Sequence, residues 1–195
     1  MPDDEAVHPL IERKSPMTQD VLTRPKVRAF GDDPMTVRSA FAQFPSGVAV
    51  LAAEICKEKH ALVASSFMVG VSLEPCLVAV AVQKSSETWE LIKDANRLGV
   101  SIFGKGQGDL TRKLASKDRA ARFEQVAIEV DHEGAVFIED AAMWLECSIH
   151  RVSDAGDHWM VLLEVGKLGV GENEPLIWHG AKFRELVSAQ SIHVK

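Results

Sequence analysis

From Met143 to Leu168 the sequence leaves room for two long strands and a tight turn, and no other stretch constrains the fold as much. Met143–Val152 and Trp159–Leu168 are apolar-rich runs, and Asp154-Ala155-Gly156-Asp157 between them has the composition of a hairpin turn. A further strand, Leu176–His179, follows without an intervening helix. A doubly wound parallel sheet needs helical crossovers throughout, whereas this part of the chain is strand after strand. The pattern therefore predicts a mainly β protein with a few helices, its antiparallel sheet closed or partly opened into a barrel.

The first half supplies the remaining pieces. Asp33 can cap a helix that has Pro34 at its first position, with Val37, Ala40, Phe41 and Phe44 at helical spacing and Pro45 as the stop. Short apolar runs bounded by breakers predict strands at Val48–Ala53, Ala61–Ser65, Leu77–Val82 and Leu98–Phe103, for six or seven strands in all. Helices fit Glu87–Ala95 and Asp109–Ala115. The first 32 residues carry Pro2, Pro9, Pro16 and Pro25 without sustained periodicity, which predicts a flexible arm ahead of one domain over residues 33–190.

Composition narrows the function classes. A net charge of −6 with no Lys/Arg block argues against a nucleic-acid or anionic-membrane surface. No run approaches the roughly 18 apolar residues of a membrane span, and the N-terminus lacks the basic and apolar regions of a secretory signal. The cysteines Cys56, Cys76 and Cys147 are odd in number and widely spaced, so a reducing cytoplasm is expected and no disulfide framework or zinc knuckle. No metal motif of the H-E-x-x-H kind is present, and no G-x-S-x-G elbow; a metal site is not expected.

Local chemistry concentrates in a few places. The strand Leu77–Val82 runs through Gln83-Lys84-Ser85-Ser86 into a helix, an arrangement that suits either a phosphate seat or a simple cap by Ser86. Ser65-Ser66-Phe67 ends another apolar strand, where serines serve a turn or a ligand's polar edge. Gly104-Lys105-Gly106-Gln107-Gly108-Asp109 fails the dinucleotide fingerprint because Asp109 stands where the third glycine belongs. Asp157-His158 places a carboxylate beside an imidazole at the hairpin exit. Trp89, Trp144, Trp159 and Trp178 read as core or interface aromatics.

In order along the chain, F-P-S-G-V, A-S-S-F with S-L-E-P close behind, S-S-x-T opening a helix and a late G-D-H resemble the flavin reductase domain family over about residues 36 to 187. That family includes the reductase components of two-component flavin monooxygenases. The resemblance implies a split β-barrel of the FMN-binding type, a homodimer, and reduction of FMN or FAD by NADH or NADPH for a partner monooxygenase. By the same resemblance, Ser46 and Gly47 form the turn that approaches the flavin. Ser65 and Ser66 line it, and Lys84, Ser85 and Ser86 surround its phosphate. His158 positions the nicotinamide and Asp157 orients His158. The chain departs from the family at Ala61 and Val63, where G-M-T or G-V-T is usual, and also at Cys76 and Gln83. A flavoprotein acting on its own substrate and a non-catalytic flavin-binding protein are the alternatives.

Overall fold

The computed structural model describes residues 29, 31 and 33–187; the predicted arm, except residues 29 and 31, and the last residues of the predicted domain lie outside this range. Helix α1 (Pro34–Phe41) starts where expected. The Asp33 carboxylate accepts from the Met35 and Thr36 N–H groups, satisfying donors that the first turn leaves unpaired. The helix ends at Phe41, before Pro45, and none of its residues is buried among the described residues.

Next come β1 (Ser46–Gly47), β2 (Ala49–Ile55), β3 (Glu58–Ala64), β4 (Met68–Leu73) and β5 (Cys76–Gln83). Helix α2 (Glu87–Ile92), β6 (Leu98–Ile102) and α3 (Gly108–Leu114) follow. The chain continues with β7 (Ile128–Val130), β8 (Val136–Ile138), β9 (Met143–Ala155), β10 (His158–Val170), β11 (Ile177–His179) and β12 (Lys182–Arg184). The short strands β1, β4, β7, β8 and β12 exceed the six or seven expected from sequence.

A 7-stranded sheet in the order β3-β2-β6-β9-β10-β5-β4 forms the body, and every neighbouring pair is antiparallel. Its spine is the β9–β10 hairpin, 13 residues in each strand. Ala155 pairs with His158, so the turn is Gly156 and Asp157 alone rather than the four residues expected. Gly156 has φ +70° while Asp157 does not enter the left-handed region, the pattern of a type II′ turn, whose twist matches that of the strands it joins.

The outermost strands, β3 and β4, are consecutive in sequence and separated only by Ser65, Ser66 and Phe67. So short a link can join opposite edges of a sheet only if the sheet rolls until those edges face each other. The roll stays open at this seam, which makes the body a split barrel.

Alternation along β2 divides the core between the two faces of the sheet. Ala49, Leu51 and Ala53 pack inside with Val80, Trp89, Ile92, Val100 and Leu163. Val50 and Ala52 pack outside, with Phe103, Leu114, Val136 and Ile138 under α3 and β8. Each large side chain fully buried in this way contributes about 1.5–3 kcal/mol. Strand β8 crosses β6 so closely that a Cβ on Gly99 would lie 2.1 Å from the Val136 carbonyl oxygen. The buried Ser101 hydroxyl accepts from Ile138 N–H at 3.0 Å across the same contact. Among the described residues, no helix is long and apolar enough to cross a membrane.

Candidate active site

The seam between β3 and β4 is also where polar groups meet an open cavity. Ser66 donates its hydroxyl proton to the Ala81 carbonyl at 2.8 Å, tacking the crossing onto β5. Beside it lies a cavity of about 710 Å³ that brings together Ser65, Ser66, Ser46 and Gly47. Strand β1 holds the last two in place by pairing Ser46 with Trp178 and Gly47 with Ile177. A Cβ on Gly47 would meet nothing within 4 Å, so its backbone faces open space.

The remaining walls are largely apolar. Phe41 and Phe44 come from α1 and the segment after it, Met160 and Ala79 form the sheet floor, and Trp178 closes one side. An apolar slot with a few hydroxyls and backbone groups on one edge fits a flat aromatic ring system with a polar rim, the shape of an isoalloxazine.

A second group of predicted site residues sits at the β9–β10 turn. The His158 Nδ1 lies 2.7 Å from the Asp157 carboxylate, and this hydrogen bond, aided by the imidazole's charge, holds the Asp157 carboxyl below its usual range. The Lys84 N–H donates to the Asp157 carbonyl at 3.0 Å. The Lys84 ammonium meets Asp154 at 2.5 Å and stands 4.8 Å over the Trp159 ring.

Register connects the two groups. Met160 pairs with Ala81 and His158 with Gln83, so His158 shares the cavity-floor face of β10 two residues beyond Met160, about 7 Å along the strand.

The segment expected around a phosphate is otherwise engaged. The Ser86 hydroxyl accepts from Trp89 N–H at 3.2 Å and so caps α2, and Lys84 is paired with Asp154. Lys84, Ser85 and Ser86 do not line the cavity that holds Ser65 and Ser66.

Sequence reasoning missed several residues here. Trp178, read as a core or interface aromatic, instead walls the cavity, with Phe183 in an edge-on contact 5.1 Å away. Helix α1 supplies Arg38 and Phe41 to the lining. Arg122 braces the site from behind. Its guanidinium donates to the Ala61 carbonyl at 2.7 Å, to the Thr88 hydroxyl at 3.2 Å and to the Ser116 carbonyl at 2.7 and 2.9 Å. It thus ties β3 to α2 and to the segment after α3. No local pattern announces such a residue, because its partners lie as far as 61 positions away.

Asp131, Glu133 and Glu146 converge with ligand atoms within 4.8 Å of one another. Lys167 pairs with Glu146, and Arg97 lies 3.4 Å from Glu133 and 3.6 Å from Glu146, so two cations already compensate these carboxylates.

A family profile described as "Flavin reductase like domain" matches residues 41–187. The "Flavin reductase" of Pseudomonas putida is 31% identical over 148 residues, covering 75% of this chain and 86% of that protein. The "4-hydroxyphenylacetate 3-monooxygenase, reductase component" of Thermus thermophilus is 33% identical over 151 residues, covering 77% and 95%. Among solved structures, the "NADH:FAD oxidoreductase SgcE6" of Streptomyces globisporus C-1027 superposes with a TM-score of 0.77 at 28% identity, over 85% of this chain and 100% of that one. The rolled sheet, the seam cavity and these matches agree: the chain belongs to the flavin reductase like domain family.

Proposed function

We propose that this protein uses NADH to reduce a flavin and releases the reduced flavin to a monooxygenase partner. The observation that carries the proposal is the seam cavity, which joins the Ser46–Gly47 turn to Ser65 and Ser66 over an apolar floor. When bound, nicotinamide and flavin supply the hydride chemistry themselves, so the protein's task is to hold two flat rings in contact and keep water away.

Ser65 and the Gly47 backbone meet the polar rim of the ring system, and Ser66 fixes the wall against β5. Phe44, Met160 and Trp178 exclude water from its faces. His158, oriented by Asp157 and lying on the same strand face as Met160, positions the nicotinamide. The chemistry asks for no nucleophile or buried acid, and among the described residues the lining carries no carboxylate, thiol or imidazole.

The reductase works as a homodimer in this reading. Strand β4 is an unpaired edge with Leu73 88% exposed, and Phe41 and Phe44 beside the cavity are 74% and 77% exposed. A second copy laid across this face would cover apolar surface that a monomer leaves wet and would complete the cavity's open side.

The test is anaerobic bleaching of excess flavin by catalytic amounts of protein and NADH, with the mass in solution measured alongside. Many turnovers per protomer by a dimer are expected. Bound flavin without turnover would refute the reductase reading, and an active monomer would refute the dimer.

A further inference from the structure

The turn of the β9–β10 hairpin lies at the end of β5, and a side-chain clasp holds it there. Gln83 and His158 are the last paired residues of the β5–β10 ladder. Beyond them one backbone hydrogen bond follows, from the Lys84 N–H to the Asp157 carbonyl. The terminal rungs of a ladder open most readily, so His158 sits where the sheet by itself holds least.

Alternation puts the clasp on the face of the sheet opposite His158. Val82 pairs with Trp159 and Trp159 with Asp154, so these three share one face across β5, β10 and β9. Lys84, two residues past Val82, reaches back over that row. Its ammonium lies 2.5 Å from the Asp154 carboxylate and 4.8 Å from the Trp159 ring centroid. The Trp159 ring packs against the inner core beside buried Val82, which makes it a fixed platform. On the other side, the hydrogen bond and charge of Lys84 hold the Asp154 carboxyl below its usual range.

One cation thus ties the end of β5 to both strands of the hairpin, next to the turn that carries Asp157 and His158. Resting on the reading of His158 as the group that positions the nicotinamide, we propose that Lys84 is a positioning residue for NADH. Through Asp154 and Trp159 it keeps the hairpin end in register, and so fixes His158 beside the seam cavity.

Lys84→Met removes the cation and leaves the backbone N–H, and Asp154→Asn removes its charged partner. KM for NADH, FMN and riboflavin and the urea midpoint are measured for each variant, and for Lys84→Met combined with His158→Ala. A rise in NADH KM of about three- to tenfold is expected in Lys84→Met, the combined strength of an exposed ion pair and a cation–π contact. Asp154→Asn, which keeps the contact with Trp159, raises it less. FMN KM and the urea midpoint stay nearly unchanged, Lys84→Arg restores the NADH KM, and Lys84→Met adds nothing once His158 is alanine.

An unchanged NADH KM in Lys84→Met, or a further rise on top of His158→Ala, overturns the proposal. A rise for FMN that riboflavin does not share also overturns it, by making Lys84 a phosphate ligand. If His158→Ala alone leaves NADH KM unchanged, the nicotinamide reading of His158 fails and the proposal falls with it. The reductase reading is judged separately by whether the unmodified protein turns over FMN with NADH.

Discussion

Arg122 offers the sharpest test of how the site is held together. Replacing it with methionine keeps much of the side-chain volume and deletes the fork that joins Ala61, Thr88 and Ser116. Ala61 and Thr88 are buried, so the Ala61 carbonyl and Thr88 hydroxyl lose a charged donor where water cannot readily replace it. The Ser116 carbonyl is half-buried and recovers water.

Hydrogen bonds to charged groups are worth about 1.5–3 kcal/mol, and a buried group left unpaired costs about 1–3 kcal/mol. Counting the two buried acceptors and little for the third, the loss is about 3 kcal/mol. For a chain of this size that lowers Tm by roughly 6–12 °C.

The same change frees the end of β3 that carries Ser65, so the flavin KM rises severalfold while kcat holds. Arg122→Lys restores the charge without the fork and recovers less than half of the stability. Urea unfolding and steady-state kinetics on the two variants read both effects. A loss below about 1 kcal/mol with flavin KM unchanged would refute the bracing role.

Gly99→Ala drives a Cβ into the β8 backbone and threatens the Ser101–Ile138 hydrogen bond; a loss of about 3 kcal/mol or more in urea unfolding is expected, against the ~1 kcal/mol or less of a tolerated strand substitution. Burial pushes the Cys147 thiol up to about 12, helped by Cys76 and Glu146, so a thiol reagent near neutral pH labels exposed Cys56 at once and reaches Cys147 only on unfolding. Asp33→Ala removes the α1 cap and raises the flavin KM through Arg38 and Phe41, yet leaves the urea midpoint nearly unchanged because α1 buries nothing. Hydrogen bonds from the Met35 N–H and the Thr36 hydroxyl lower the folded pKa of Asp33. Its contribution is therefore complete above the ordinary carboxylate range and is lost as pH falls through the lowered value, a dependence that amide exchange in α1 reads and that the variant lacks.

Four of the main strands were legible because their apolar runs are sharply bounded. β5, β6, β9 and β10 lie within a few residues of their expected places, each an apolar run between breakers. Strand β4 escaped because Gly70 interrupts it and its residues face outward, so no core pattern marks it. β7 and β8 have 3 residues each, too few for a periodicity to emerge.

Helix α1 shows the opposite limit: its apolar spacing was read correctly, but spacing does not say what covers the stripe, and among the described residues nothing buries it. At the site, the serines were legible as an ordered series. That Ser65 and Ser66 meet Ser46 and Gly47 follows from the roll of the sheet, which no local stretch encodes.

The β9–β10 hairpin has a consequence for synthesis. Strand β6 pairs with β9 and β5 with β10, so the two halves of the sheet made early, β2–β3–β6 and β4–β5, have no direct ladder between them until the hairpin is inserted. Until residue 143 is made, no ladder joins these two halves and each presents an open edge. The hairpin closes cheaply across its Gly156–Asp157 turn and then recruits a waiting fragment on each side, which makes the last-made third of the sheet the step that commits the chain to its fold.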